Sequence, residues 1–89
     1  MKILDVIDKN ARKYENRWTS NKYTDDARRF LTLSAEVGEL ADAIKGKHEH
    51  NPDVELVQIA GICLNWLRYY IRQYEGVDLE EVLRVANHE

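Results

Sequence analysis

Cysteine, proline and glycine are all scarce in this chain of 89 residues, at one, one and four. The single cysteine excludes a disulfide framework within the chain. Cys63 lies in an apolar run with no identifiable catalytic partner, so it reads as a core thiol of a reducing compartment. With so few helix breakers, long helices are expected. No apolar run reaches the roughly 18 residues that a membrane span needs. The opening stretch "MKILDVIDKNARKY" lacks a continuous apolar segment of the signal-peptide kind. Neither sign of charge dominates: the net charge is −3 and the pI about 5.6. That balance speaks against nucleic-acid or membrane partners and leaves a small anionic ligand open. A cytoplasmic location is the default expectation.

What is present is a globular composition, 44% hydrophobic and 33% charged, without repeats or low-complexity segments. The length fits one domain over residues 1–89. The apolar spacing is helical throughout and no segment alternates like a strand, so the expected class is all-α. Ile3, Ile7, Ala11, Tyr14 and Trp18 form one stripe, predicting a first helix from about Lys2 to Trp18. Thr24 is the expected N-cap of a second helix, with Asp25 and Asp26 supporting its dipole. Its stripe holds Phe30, Leu33, Val37, Leu40 and Ile44, and Gly46 is the stop signal. After the loop "GKHEHN", Asn51, Pro52 and Asp53 open a third helix that runs to about Tyr74. That helix is apolar nearly all round and must be central or covered by a second subunit. Asp78 and Glu81 form a capping box for a short fourth helix with Leu79, Val82, Leu83 and Ala86 inward. The expected architecture is a four-helix chain with two long antiparallel central helices, assembling as an oligomeric helical bundle.

Two pairs stand out. Glu36 and Glu39 lie three apart on the second helix, and Glu55 and Gln58 three apart on the third. Members of each pair share a helix face. The short break between the helices makes them neighbours. Glu39 and Gln58 then sit at similar heights, each roughly 9 Å from the hairpin at 1.5 Å per residue. The four side chains converge if those faces meet. Clustered oxygen ligands of this kind suit Mg2+, which neutralises phosphates and polarises a phosphorus–oxygen bond. The pattern has a bland reading as well, because Glu is a common helix former and Glu-x-x-Glu often marks a solvated face.

The third helix carries its polar residues in a narrow stripe: Glu55, Gln58, Asn65, Arg68 and Arg72. Such a stripe suits a cleft with carboxylates at one end and guanidinium groups, matched to phosphate, at the other. It also suits an exposed strip or a polar layer in a dimer. Lys45 and Lys47 are further phosphate candidates near the hairpin. Trp18 reads as packing or as a base-stacking platform. Gly38, mid-helix, permits a close helix approach or is there by chance. His48 and His50 flank Glu49 in the loop; His-x-His in a loop can hold a transition metal, and solvated histidines are the commoner case.

The blocks "LTLSAEVGELADAIKG" and "DVELVQIAGICLNWLRYY" resemble the MazG-like all-α nucleoside triphosphate pyrophosphohydrolases. The hallmark of that family is Glu-x-x-Glu, a gap, then Glu-x-x-Asp on the next helix. Glu36, Glu39 and Glu55 match, with 15 residues between Glu39 and Glu55. The resemblance covers about Tyr23 to Tyr70, and "SAEVGELADAI" is its most specific part. It implies hydrolysis of a (deoxy)nucleoside triphosphate to a monophosphate and pyrophosphate with Mg2+ or Mn2+, in a homodimer or homotetramer, for nucleotide-pool house-cleaning. It implies Glu36, Glu39 and Glu55 as metal ligands, one glutamate orienting the attacking water. Asn65 becomes a candidate for substrate contact and Trp18 a residue near the base; Arg68 and Lys45 remain candidates for phosphate.

The chain departs from the pattern at Gln58, where the family has Asp. An amide oxygen can ligate Mg2+ as a fourth ligand, but it is neutral. Asp42, one turn beyond Glu39, is a possible compensating carboxylate. The departure supports an alternative: a weakened or inactive nucleotide-binding or interaction module on the same fold. The phosphoribosyl-ATP pyrophosphohydrolases, with a similar acidic helical core, match less well locally.

Overall fold

The computed structural model describes residues 1–15, 22–73 and 76–88. They form four helices: α1 (Ile3–Arg12), α2 (Lys22–Ile44), α3 (Pro52–Gln73) and α4 (Leu79–Ala86). The all-α class holds, with no strand among the described residues. None of these helices is long and apolar enough to cross a membrane.

The ends of the helices follow from local chemistry, with two departures from the sequence pattern. Helix α1 stops at Arg12 rather than near Trp18, which lies outside the described residues. Its end tightens into i to i+3 bonds, Tyr14 N–H to the Ala11 carbonyl at 3.2 Å and Glu15 N–H to that of Arg12 at 3.1 Å. The tightened turn delivers the Tyr14 ring onto Ile62. Helix α2 begins at Lys22, so Thr24 lies in its first turn and is not its cap. It ends as its glycine demands. Gly46 takes φ 71°, the Lys47 N–H reaches the Asp42 carbonyl at 2.8 Å, and the Gly46 N–H reaches that of Ala43 at 3.0 Å. That pair of bonds is a Schellman motif. Helix α3 starts at Pro52, where a missing N–H costs nothing. Asp78 caps α4 by accepting the Glu80 and Glu81 N–H groups at 3.0 and 3.3 Å. The Glu81 carboxylate pairs with Arg84.

Helix α3 is central: among the described residues it packs on both α1 and α2. Gly61 lets α1 come close, because a Cβ there would lie 2.2 Å from Asn10 Oδ1. The apolar core is small. Ile62 and Tyr14 form it, with Leu33 packed against them and Ala11 and Ala43 buried nearby.

Polar side chains share this interior. Asp25, Arg29, Glu55 and Asn65 are all buried. The side of α2 that turns inward thus includes Asp25, Arg29 and Ala43, while Phe30, Val37 and Ile44 of the expected core stripe are exposed. The expected inward residues of α4 are exposed too, Leu79, Val82 and Leu83 among them. Interior space taken by Asp25, Arg29, Glu55 and Asn65 is not filled by large apolar groups, and these face out of the single chain. At Gly38 a Cβ would meet nothing within 4 Å, so this chain makes no close approach there.

Candidate metal centre

Glu36 and Glu39 project from α2 and Glu55 from the first turn of α3. One carboxylate oxygen from each lies within 4.8 Å of the others. That spread fits the ligands of one oxygen-bound ion, since opposite ligands of an octahedral Mg2+ stand about 4.2 Å apart at bonds of about 2.1 Å. Glu55 is fully buried, whereas Glu36 and Glu39 are half-buried, so the cluster opens on the α2 side. Among the described residues no lysine or arginine pairs with Glu55. A buried carboxylate without a cationic partner is costly unless hydrogen bonds or an ion compensate.

Gln58 supplies part of that compensation. With its amide nitrogen turned toward the carboxylates, it donates to Glu55 Oε2 at 3.1 Å and to Glu36 Oε2 at 2.5 Å. Its NH2 group thereby bridges the two helices. An aspartate at this position would face two acceptors with a third. The amide therefore does in the free chain, by donation, part of what a cation would do by charge.

Protonation supplies the rest. Glu36 is pushed up to about 7 by its burial and by hydrogen bonds with Glu55 and Glu39, so it keeps its proton near neutrality. For Glu55, burial alone raises the value, but hydrogen bonds with Glu36, His50 and Glu39 outweigh it and the net shift is down. One carboxylate of the pair is a donor and the other an anion.

Glu55 also faces the loop before α3. Its Oε1 lies 3.1 Å from His50 Nδ1 and 3.4 Å from His48 Nδ1. The His50 backbone N–H donates to His48 Nδ1 at 3.1 Å, which holds the loop in this shape.

The remaining residues singled out in the sequence lie elsewhere. Asn65 is buried where three helices meet. Its Nδ2 donates to the Ala11 carbonyl at 3.4 Å, and its Oδ1 accepts from Arg29 Nε at 3.5 Å. Arg68 pairs with Asp8 at 2.5 Å, and Arg72 lies 3.9 Å from Glu15. The polar stripe of α3 therefore lines no single cleft: Glu55 and Gln58 meet α2, Asn65 meets both α2 and α1, Arg68 meets α1 and Arg72 the turn after it. Lys45 and Asp42 are exposed near the end of α2. Trp18, the base-stacking candidate, lies outside the described residues.

Sequence reasoning treated Asp26 as dipole support and passed over Arg29. Asp26 instead accepts from Trp66 Nε1 at 3.0 Å and from the Tyr70 hydroxyl at 2.7 Å. The Arg29 guanidinium lies over the Tyr69 ring at 4.2 Å. The available signal was Trp66 and Tyr70 one turn apart, two buried-type aromatics each with a donor to satisfy. Beside them Leu33, Cys63, Trp66, Leu67 and Tyr70 line a largely apolar cleft of about 350 Å³. Leu33 is one turn before Glu36 on α2, so the cleft lies along the same pair of helices as the carboxylates.

Comparison with protein-family models, curated proteins and solved structures gives no match for this chain.

Proposed function

We propose that the chain is a Mg2+- or Mn2+-dependent nucleoside triphosphate pyrophosphohydrolase, as its resemblance to the MazG-like proteins implies. The observation that carries this reading is the convergence of Glu36, Glu39 and Glu55 beside the Gln58 amide. In it Glu36, Glu39 and Glu55 hold the ion through carboxylate oxygens. Gln58 rotates its amide so that oxygen replaces nitrogen toward the site. The ion supplies charge neutralisation of the phosphates and polarisation of the bond between the α and β phosphorus centres. One of the glutamates orients the attacking water. Lys45, exposed at the end of α2, meets phosphate from solvent, and Arg68 does so on exchanging Asp8 for it.

The assembly belongs to this reading. The two long helices run antiparallel, and a second copy of the chain covers the outward apolar residues Phe30, Leu31, Val37 and Ile44 of α2. The product is a homodimer or homotetramer whose core is completed between copies.

A second reading has observations of its own. Gln58 is neutral and serves as a donor to the carboxylates, and Asn65 and Arg68 are engaged within the chain. These favour a nucleotide-binding or interaction module with little catalysis. A panel of canonical and modified nucleoside triphosphates with Mg2+ or Mn2+, scored for pyrophosphate, separates the two. Turnover abolished by Glu39→Gln supports the enzyme. Calorimetric binding of nucleotide without pyrophosphate release supports the module. Neither turnover nor binding from a folded protein overturns both.

A further inference from the structure

The loop before α3 carries a second constellation beside the carboxylates. His48 and His50 each offer a ring nitrogen that, with a Glu55 oxygen, forms a set within 4.8 Å. The chemistry of this set differs from that of the glutamates. Two imidazoles and one carboxylate favour a borderline ion such as Zn2+ or Co2+ over Mg2+. We propose that His48, His50 and Glu55 bind such a transition-metal ion, as a ligand set apart from the three glutamates.

The two distances from Glu55 are those such an ion requires. Neighbouring ligands of a tetrahedral ion stand about 3.3 Å apart when the bonds are about 2.0–2.1 Å long. Glu55 Oε1 is 3.1 Å from His50 Nδ1 and 3.4 Å from His48 Nδ1. His48 Nδ1 is the unprotonated ring nitrogen, since it accepts the His50 N–H, and an ion takes its lone pair in place of that bond. Glu55 is fully buried and fixed in the first turn of α3, which makes it a rigid anchor. The histidines are more accessible, with side chains 19% and 44% exposed, so an ion has an entry path from solvent.

The two edges of Glu55 divide the work. Oε1 faces the histidines, while Oε2 accepts from the Gln58 amide, which also donates to Glu36. One carboxylate thus reaches both ligand sets, and the histidine site stands whether or not the chain hydrolyses nucleotide.

The test uses the full chain, freed of metal by chelation. Titration with Zn2+ and with Co2+ is expected to show one equivalent per chain, with the intense visible bands of low-coordinate, imidazole-bound cobalt. His48→Ala and His50→Ala are each expected to weaken binding at least about tenfold, and His88→Ala to leave it unchanged. Nuclear magnetic resonance of the histidine rings in the unaltered chain gives a reading independent of variant folding. Zn2+ is expected to shift His48 and His50 and not His88. Absence of an equivalent of binding, retention of binding in both loop variants, or equal shifts at His88 overturns the proposal. Pyrophosphate release without Zn2+ binding sinks this site alone, and Zn2+ binding without pyrophosphate release sinks only the enzyme reading.

Discussion

Trp66 Nε1 donates to Asp26 Oδ1 at 3.0 Å, tying the middle of α3 to the start of α2. The other Asp26 oxygen accepts from the Tyr70 hydroxyl at 2.7 Å, so one carboxylate satisfies two aromatic donors one turn apart. Replacing it by Ala leaves both donors unsatisfied in a partly buried place. Asp26→Ala is expected to cost about 2–4 kcal/mol, and Asp26→Asn less, because the amide oxygen still accepts one bond. Urea denaturation with tryptophan fluorescence measures both, and equal stability of all three forms would contradict the assignment.

Gly61 is a test of the packing between α1 and α3. A methyl group there would collide with the Asn10 side chain. Gly61→Ala is expected to cost about 1–3 kcal/mol despite its better helix propensity. Adding Asn10→Ala should recover part of that loss. A double-mutant cycle with no coupling between the two positions would show that α1 lies elsewhere.

Gln58 decides how the carboxylates live without an ion. Gln58→Glu removes a donor and adds a fourth carboxylate. The ion-free chain is expected to lose about 1–3 kcal/mol, while its affinity for Mg2+ or Mn2+ rises. Thermal denaturation with and without the ion checks both parts. If the variant is as stable without the ion and binds it no better, Gln58 does not face the carboxylates as described.

Acidity acts on the same cluster. Glu36 rises from its ordinary 4.5 to about 7, so its stabilising share is complete below about pH 4.5 and is lost as pH climbs through about 7. At a half-buried group this is on the order of 1–2 kcal/mol. Glu55 is shifted the other way, so its share is present above its ordinary 4.5 and is lost as pH falls below that range. The ion-free protein should therefore be most stable in mildly acidic solution. Because an ion must displace the Glu36 proton, Mg2+ or Mn2+ affinity should fall up to about tenfold per pH unit below 7. Calorimetry in buffers of different ionisation enthalpy counts that proton directly; no proton release at pH 6 would refute the shared hydrogen.

The outward apolar face of α2 gives the last prediction. Phe30 is 60% exposed and Ile44 69% in the single chain. Light scattering is expected to report a dimer or tetramer, and Phe30→Glu to shift it toward monomer. A monomeric parent chain would remove the second copy from the proposed function.

Much of this molecule was legible before its structure. Gly46 and Pro52 marked the hairpin, because a left-handed turn and a missing N–H are properties of single residues. The three-residue spacing put Glu36 with Glu39 and Glu55 with Gln58 on shared faces, since rotation along a helix is fixed. The short loop then brought the two pairs to one height. The apolar stripes were read with less success. Phe30, Val37 and Ile44 have the right spacing for a core, yet they face outward. Spacing identifies a face but not what covers it, and a second copy satisfies it as well as the same chain does.

The sequence by itself determined the helices, the ends marked by Gly46, Pro52 and Asp78 and the pairing of acidic positions, because these depend on propensities and angles within a few residues; the end of α1 and the start of α2 it did not. Tertiary structure decided which donors and acceptors meet. Asn65 joins Arg29 to the Ala11 carbonyl, Arg68 goes to Asp8, and Glu55 stands between Gln58 on one edge and two histidines on the other. Hydrogen bonds and ion pairs act over about 3 Å, a scale that only the packed chain sets.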